Sequence, residues 1–304
     1  MSHRPRESAM PPRDLLLALL VCAAWAVNFL TSALALREVP PLLFTALRLA
    51  LLGIVLAPFL RRPAPGQWPR LLAITLSTGV LHFGLSFWAL QLAGDLSSPA
   101  IVMQSYIPMS VLLAWALLGE RFAWRTGTAI ALSFGGVLVL GFDPLVLDNP
   151  ASLALMLVSA FFLALGTVLM RGLQAMDRYG MQAWTAAIGV VPLVVLSAWL
   201  EPGAIAAIPS FGAVAWAGVA YAALVASLLG HGLYYTLVQR HPVAKVMPWL
   251  LLTPVFAVAL GIVAWGDRPG PRLWLGGAMV LGGIVVIAAR SQARARAAPP
   301  AREI

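Results

Sequence analysis

The 304 residues are 61% hydrophobic and only 10% charged, whereas a soluble domain is roughly 45–50% apolar and about 25% charged, so an ordinary water-soluble fold is excluded. The formal charge of +9 invites a nucleic-acid reading, but the basic residues are spread among short connections and tails, which makes them topological signals and leaves nucleic acid out as a partner. Cys22 is the only cysteine, so neither an internal disulfide nor a cysteine-based metal cluster is available; no metal or other cofactor is expected.

Apolar runs of roughly 17 to 25 residues suffice to cross a bilayer core as helices. In chain order they are expected at 15–36, 42–60, 71–92, 100–118, 126–142, 151–170, 182–200, 213–238, 246–265 and 273–289. Arg4, Arg6 and Arg13 ahead of the first run, with Ala33-Leu34-Ala35 inside it, imitate a signal peptide. The run is too long for one, so it is expected to remain in the mature protein. The connections are too short to fold as a separate soluble domain.

The chain repeats itself. Gly119-Glu120-Arg121 and Arg125 return 147 positions later as Gly266-Asp267-Arg268 and Arg272, and Ala131, Gly135, Gly136 and Val139 return as Ala278, Gly282, Gly283 and Val286. Each half holds five spans, an odd number, so the second half enters the membrane in the opposite orientation, as in many secondary transporters. The expected fold is an all-α integral membrane protein, with ten transmembrane helices forming two five-helix inverted-topology repeats around a central cavity. The repeats are 15–142 and 151–289, flanked by an N-terminal tail, 1–14, and a basic C-terminal tail, 290–304. Counting the termini and alternate connections as one side gathers 16 of the 20 basic residues, which places both termini in the cytoplasm, with membrane lipids as partners.

Proline inside a membrane helix frees a backbone carbonyl, tolerated where protein or a water-filled cavity receives it. Pro108 and Pro254 stand 12 and 13 residues before the acidic residue of each repeat and are candidate gates, with a simple packing kink as the alternative. Pro192 lacks such a counterpart and reads as packing. Gly135, Gly136, Gly282 and Gly283 offer small surfaces for joining the two halves or two molecules, although a monomer suffices.

Polar residues within spans are costly unless they face protein or water. Asn28, His82, Gln104, Tyr106, His231, Tyr234 and Tyr235, with Trp25 and Trp249 as aromatic walls, are the candidate substrate-binding set. His82 and His231 share a depth in equivalent spans, and a hydrogen-bonded structural histidine is as good a reading for each. Arg48 lies open between snorkelling, a carbonyl contact and substrate binding. Lys245 stands near the start of the ninth span. Glu120 and Asp267 at helix ends are expected to be structural, pairing with arginine or fixing a loop. Trp68, Trp124, Trp199, Trp265 and Trp274 read as interfacial anchors, while Trp184 is expected deeper. The absence of Asp or Glu in mid-span favours a passive facilitator of neutral or zwitterionic solutes.

These features resemble the drug/metabolite transporter superfamily in its EamA-type ten-span branch. The carrying residues are Trp25-Ala26-Val27-Asn28-Phe29, Arg48, Pro108 with Leu118-Gly119-Glu120-Arg121, the glycines, and the second-half echoes from Pro254 to Gly283. Within it the chain is most similar to aromatic amino-acid exporters of the YddG type, departing with Asp267 where Glu is commoner. The resemblance implies a basket of helices around a cavity and export of amino acids or related metabolites across the bacterial inner membrane.

A proton-coupled drug or metabolite exporter is the alternative within the superfamily. A membrane-embedded enzyme would need His82 and Ser86 to act together without an acidic orienter. A channel accounts poorly for the duplicated helix breaks.

Overall fold

The computed structural model describes residues 10–173, 176–241, 246 and 249–297, and every regular element among them is helical. Lys245 lies outside the described residues. Helix α1 spans Pro12–Ala35, α2 Pro41–Phe59, α3 Trp68–Ala93, α4 Ser97–Leu118 and α5 Trp124–Gly141. Helix α6 spans Pro150–Met170, α7 Arg178–Leu200, α8 Ala213–Arg240, α9 Leu252–Trp265 and α10 Pro271–Ala297. Eight of these are long and apolar enough to cross a membrane, so the chain is a multi-pass membrane protein. The other two are α5, whose first turns carry Arg125, Thr126 and Thr128, and the shorter α9.

Local chemistry sets many of the ends. Pro12, Pro41 and Pro150 occupy the first turns of α1, α2 and α6, where a missing N–H costs nothing. Gly94, Gly119 and Gly266 end α3, α4 and α9 with φ of 73°, 68° and 85°, a left-handed conformation that glycine adopts without a Cβ clash. Helix α10 continues to Ala297, past the predicted end at 289, because its Ala- and Arg-rich extension favours helix outside lipid as well as within it. Helix α1 likewise starts inside the predicted tail.

Three helices are locally wound as π-helix, at Leu76–His82 in α3, Tyr221–Gly230 in α8 and Gly261–Trp265 in α9. Such segments leave carbonyls without their usual partner and concentrate at functional sites.

Packing follows the repeat. Helix α1 lies against α8 and α9, while its counterpart α6 lies against α3 and α4; α2 packs on α7, and α5 on α10. The α5–α10 seam is built on missing side chains. A Cβ at Gly136 would stand 2.5 Å from the Gly276 carbonyl oxygen and 2.8 Å from the Val280 nitrogen, and one at Gly283 would strike the Ser133 side chain. Ser133 donates its hydroxyl to the Val280 carbonyl at 3.2 Å across the centre of this seam. Gly135 and Gly282 are less close to the seam: a Cβ at Gly135 would make only an ordinary contact with Met279, and one at Gly282 would face open space. Adjacent helix positions differ in direction by about 100°, so only one glycine of each pair meets the partner helix backbone.

Side-chain ties divide the connections into two ends. At one, Asp14 meets Arg240 and His241 at 2.9 and 2.6 Å, Glu120 pairs with Arg171, and Arg70 donates to the Gly172 carbonyl. At the other, Glu201 accepts from the Leu42 and Leu43 amides at 2.7 and 3.0 Å, Glu38 from the Gly212 amide, and Arg272 donates to the Phe142 carbonyl. Trp184 belongs to the first end, donating to the Arg61 carbonyl and meeting Trp68 edge-on at 4.9 Å, so it is not the deep residue its sequence position suggested. Pro192 sits within α7, whose helix continues through it.

Candidate functional site

Pro108 has no N–H to offer the Gln104 carbonyl, which accepts instead from Ile107 at 3.1 Å; α4 breaks at Gln104–Ser105 as a result. In the second half a turn at Leu251 precedes Pro254 in the same way. Gln104 and Leu251 are 147 positions apart, so the two breaks obey the sequence repeat. Both prolines are buried.

Around the α4 break, part of the predicted set converges. The Trp25 indole donates to the Ala226 carbonyl at 3.1 Å, and its ring lies 5.2 Å from His231 and 6.0 Å from Tyr234. Nδ1 of His231 lies 3.1 Å from the Ser227 carbonyl and 3.2 Å from that of Ala226, so it carries the proton and the ring is held toward Trp25. Tyr106 is within electrostatic reach of Tyr234. Helices α1 and α8 thus contribute an aromatic cluster of half-buried side chains, with Tyr106 of α4 half-buried in its electrostatic reach. Asn28, one turn beyond Trp25, accepts from the Ser32 hydroxyl at 3.4 Å, and Gln104 stands at the break itself.

Other members lie elsewhere. His82 is 4% exposed, with Nδ1 2.9 Å from the Ser159 hydroxyl, whose own proton goes to the His82 carbonyl at 2.9 Å. Burial against α6 thus satisfies Nδ1, which accords with the hydrogen-bonded reading of His82 that the sequence offered beside the cavity-facing one. Ser86 donates to the Phe83 carbonyl, so His82 and Ser86 are not joined as a catalytic pair would be. Trp249 is exposed outside the cluster, its carbonyl accepting from Cys22 at 3.3 Å. The side chain of Tyr235 lies outside the described residues.

Arg48 carries the site deeper than its sequence position suggests. Its Nη2 donates to the Ser227 hydroxyl at 2.9 Å, its Nε faces the Ala222 carbonyl at 3.4 Å, and the guanidinium lies 3.7 Å over the Phe83 ring. Ser227 in turn donates to the Ala222 carbonyl at 2.7 Å within the π segment of α8. No sequence signal announced this segment or the Arg48–Ser227 contact.

The repeat's acidic residues have diverged. Glu120 forms a half-exposed ion pair with Arg171. Asp267 is buried and accepts from the Leu96 and Ser97 amides at 3.1 and 3.0 Å and from the Ser97 hydroxyl at 2.6 Å, fixing the start of α4. Beside it Asp95, 3% exposed in the α3–α4 connection, accepts from the Ser98 amide at 2.7 Å and its hydroxyl at 2.8 Å. Burial, together with the nearby Asp267 charge, pushes its carboxyl up to about 6 against the hydrogen bonds from Ser98. A cavity of about 420 Å³ opens at the end that holds the start of α7 and the end of α8, lined by Met176, Asp177, Arg178, Tyr179, Val238 and Gln239.

Residues 13–142 and 151–289 each match the model of the EamA-like transporter family. The chain belongs to this family. It is a membrane transporter and not an enzyme. The "Probable amino-acid metabolite efflux pump" of Escherichia coli (strain K12) is 28% identical, over 91% of this chain and 95% of its own length. The "Probable terminal-alkyne amino-acid exporter" of Streptantibioticus cattleyicolor is 26% identical over 78% of this chain and 79% of its own. A crystal structure 20% identical in sequence has a TM-score of 0.61, covering 94% of this chain and 99% of its own, and shares the fold.

Proposed function

We propose that this EamA-family transporter exports amino acids, aromatic and other neutral ones foremost, or related small metabolites across the bacterial inner membrane by alternating access, as facilitated diffusion. The observation that carries this reading is the grouping of Trp25, His231 and Tyr234, with Tyr106 in electrostatic reach, beside the α4 break, where aromatic rings and a few polar groups meet inside the spans. The printed names of the Escherichia coli and Streptantibioticus cattleyicolor relatives support the amino-acid class. Asn28 and Gln104 orient the substrate, and Pro108 and Pro254 let α4 and α9 bend on opposite sides of it.

Ten spans in two inverted five-helix repeats, 15–142 and 151–289, are the architecture for this cycle. The exchange of packing partners between halves supports it, as does the spacing of the helix breaks. The tails 1–14 and 290–304 then lie in the cytoplasm with the basic end of the molecule.

Counterflow of labelled phenylalanine in proteoliposomes, without an imposed ion gradient, tests the reading. Saturable exchange inhibited by several neutral amino acids is expected, and no exchange by folded protein overturns it. Proton coupling is the second reading, favoured by the buried Asp95 carboxyl, which burial pushes up to about 6. It requires uptake into vesicles to respond to a pH gradient and Asp95→Asn to abolish that response.

A further inference from the structure

A guanidinium in the hydrocarbon region costs at least about 3 kcal/mol of insertion free energy unless it escapes to an interface or finds a partner. Arg48 does neither fully. Its head is bonded to Ser227, 14 residues from Ala213 and 13 from Arg240, the two ends of α8, and so roughly 20 Å of helix from each. Snorkelling is thereby excluded in this conformation. The residue is 3% exposed, and no carboxylate lies within ion-pair distance of it among the described residues. Its Nε and Nη2 are accounted for by Ser227 and Ala222, whereas Nη1 is buried without any hydrogen-bond partner.

The surroundings point in one direction. Ser227, which takes the Arg48 hydrogen bonds on its hydroxyl, also gives its carbonyl to His231, the ring that packs on Trp25. Arg48 and the aromatic cluster are therefore neighbours through a single residue. The Phe83 ring, 3.7 Å from the guanidinium carbon, covers the charge. A buried cation with two spare N–H donors, aromatic neighbours and an apolar cover fits an aromatic or large apolar side chain that carries a carboxylate.

We propose that Arg48 is the substrate-carboxylate anchor: Nη1 takes the carboxylate of the transported molecule when the Phe83 ring swings aside, while the side chain of that molecule lies against Trp25 and Tyr234. The proposal rests on the amino-acid reading above and sharpens it, since it makes the carboxylate the recognised group. A purely structural Arg48 would tie α2 to α8 and affect all ligands alike. An anchoring Arg48 decides between ligands with and without a carboxylate.

The test is ligand binding to the purified full chain, followed by tryptophan fluorescence and by thermal stabilisation. The probes are phenylalanine, 3-phenylpropionate, which lacks the amine, and phenylalaninamide, which lacks the carboxylate. The native protein should bind the first two at least tenfold more tightly than the amide. Arg48→Gln should level the three, and Arg48→Lys should restore part of the preference. Phe83→Ala, which leaves the charge in place, should tighten binding of both carboxylates. Carboxylate preference retained in folded Arg48→Gln, or absent from the native protein, overturns the anchor. If Arg48→Gln does not fold, unchanged carboxylate affinity in Phe83→Ala overturns it. Arg48-dependent binding of 3-phenylpropionate without phenylalanine exchange would keep the anchor and dismiss the amino-acid reading.

Discussion

Replacing Asp267 with alanine should damage the protein far more than replacing its repeat equivalent Glu120. Asp267 is 7% exposed and accepts three hydrogen bonds, two from the backbone amides of Leu96 and Ser97 and one from the Ser97 hydroxyl. Each buried donor left without an acceptor costs about 1–3 kcal/mol, so the loss should total about 3–9 kcal/mol. With an unfolding entropy of about 2.1 cal/mol/K per residue, the chain loses about 1.5 °C per kcal/mol, and Tm should fall by about 5–14 °C. Glu120 contributes one ion pair to Arg171 with both side chains about half exposed, which is worth about 0–1 kcal/mol, or less than about 2 °C. Cys22 is buried and the only thiol, so a dye that fluoresces on reacting with thiols reports unfolding of the detergent-purified protein directly. Equal losses for Asp267→Ala and Glu120→Ala would refute the argument that the cap, and not the motif, carries the energy.

At the α5–α10 seam, Gly136→Ala should cost about 1–3 kcal/mol or more through backbone overlap with Gly276 and Val280, whereas Gly282→Ala, which meets open space, should be close to neutral in the same assay. The Asp95 carboxyl, raised to about 6 when folded from an unfolded value of about 3.9, contributes stability that is complete below about pH 4 and lost as pH rises through about 6. Tm of the native protein should therefore fall from pH 5 to pH 7 more steeply than that of Asp95→Asn, and parallel curves would contradict the burial argument. Pro108→Ala and Pro254→Ala restore the missing amides and should slow phenylalanine exchange more than they lower Tm; full exchange in both would remove the gate assignment.

Much of the fold was legible because its signals are local. Proline announces a break by the donor it lacks, and both breaks lie one turn before Pro108 and Pro254 as the sequence suggested. The convergence of Trp25, Tyr106, His231 and Tyr234 was also within reach, since polar and aromatic groups inside spans seek protein rather than lipid. What the sequence left open has a different cause. His82 is decided by Ser159, 77 positions away, and no pattern around His82 reveals a partner on α6. Which glycine of each pair enters the seam depends on helix rotation, which a doublet leaves open. The π segments change the facing of every later residue in α3 and α8 without requiring any particular residue type, so the Arg48–Ser227 contact emerges only in three dimensions.

The α5–α10 seam maps onto itself when every residue is moved by the repeat distance. Gly136 abuts Gly276, and the Cβ position of Gly283 abuts the Ala129 carbonyl at 2.5 Å, each pair being the displaced image of the other; Ser133 and Val280 exchange places. Self-complementary contacts of this kind belong to a two-fold symmetric dimer, in which each residue on one partner's patch meets its complement twice. A duplicated gene inherits that interface with one difference: in a dimer of single repeats a seam mutation strikes both contacts at once, but in the fused chain it strikes one. A single change at the seam of the present chain therefore disturbs one contact and leaves its displaced image intact.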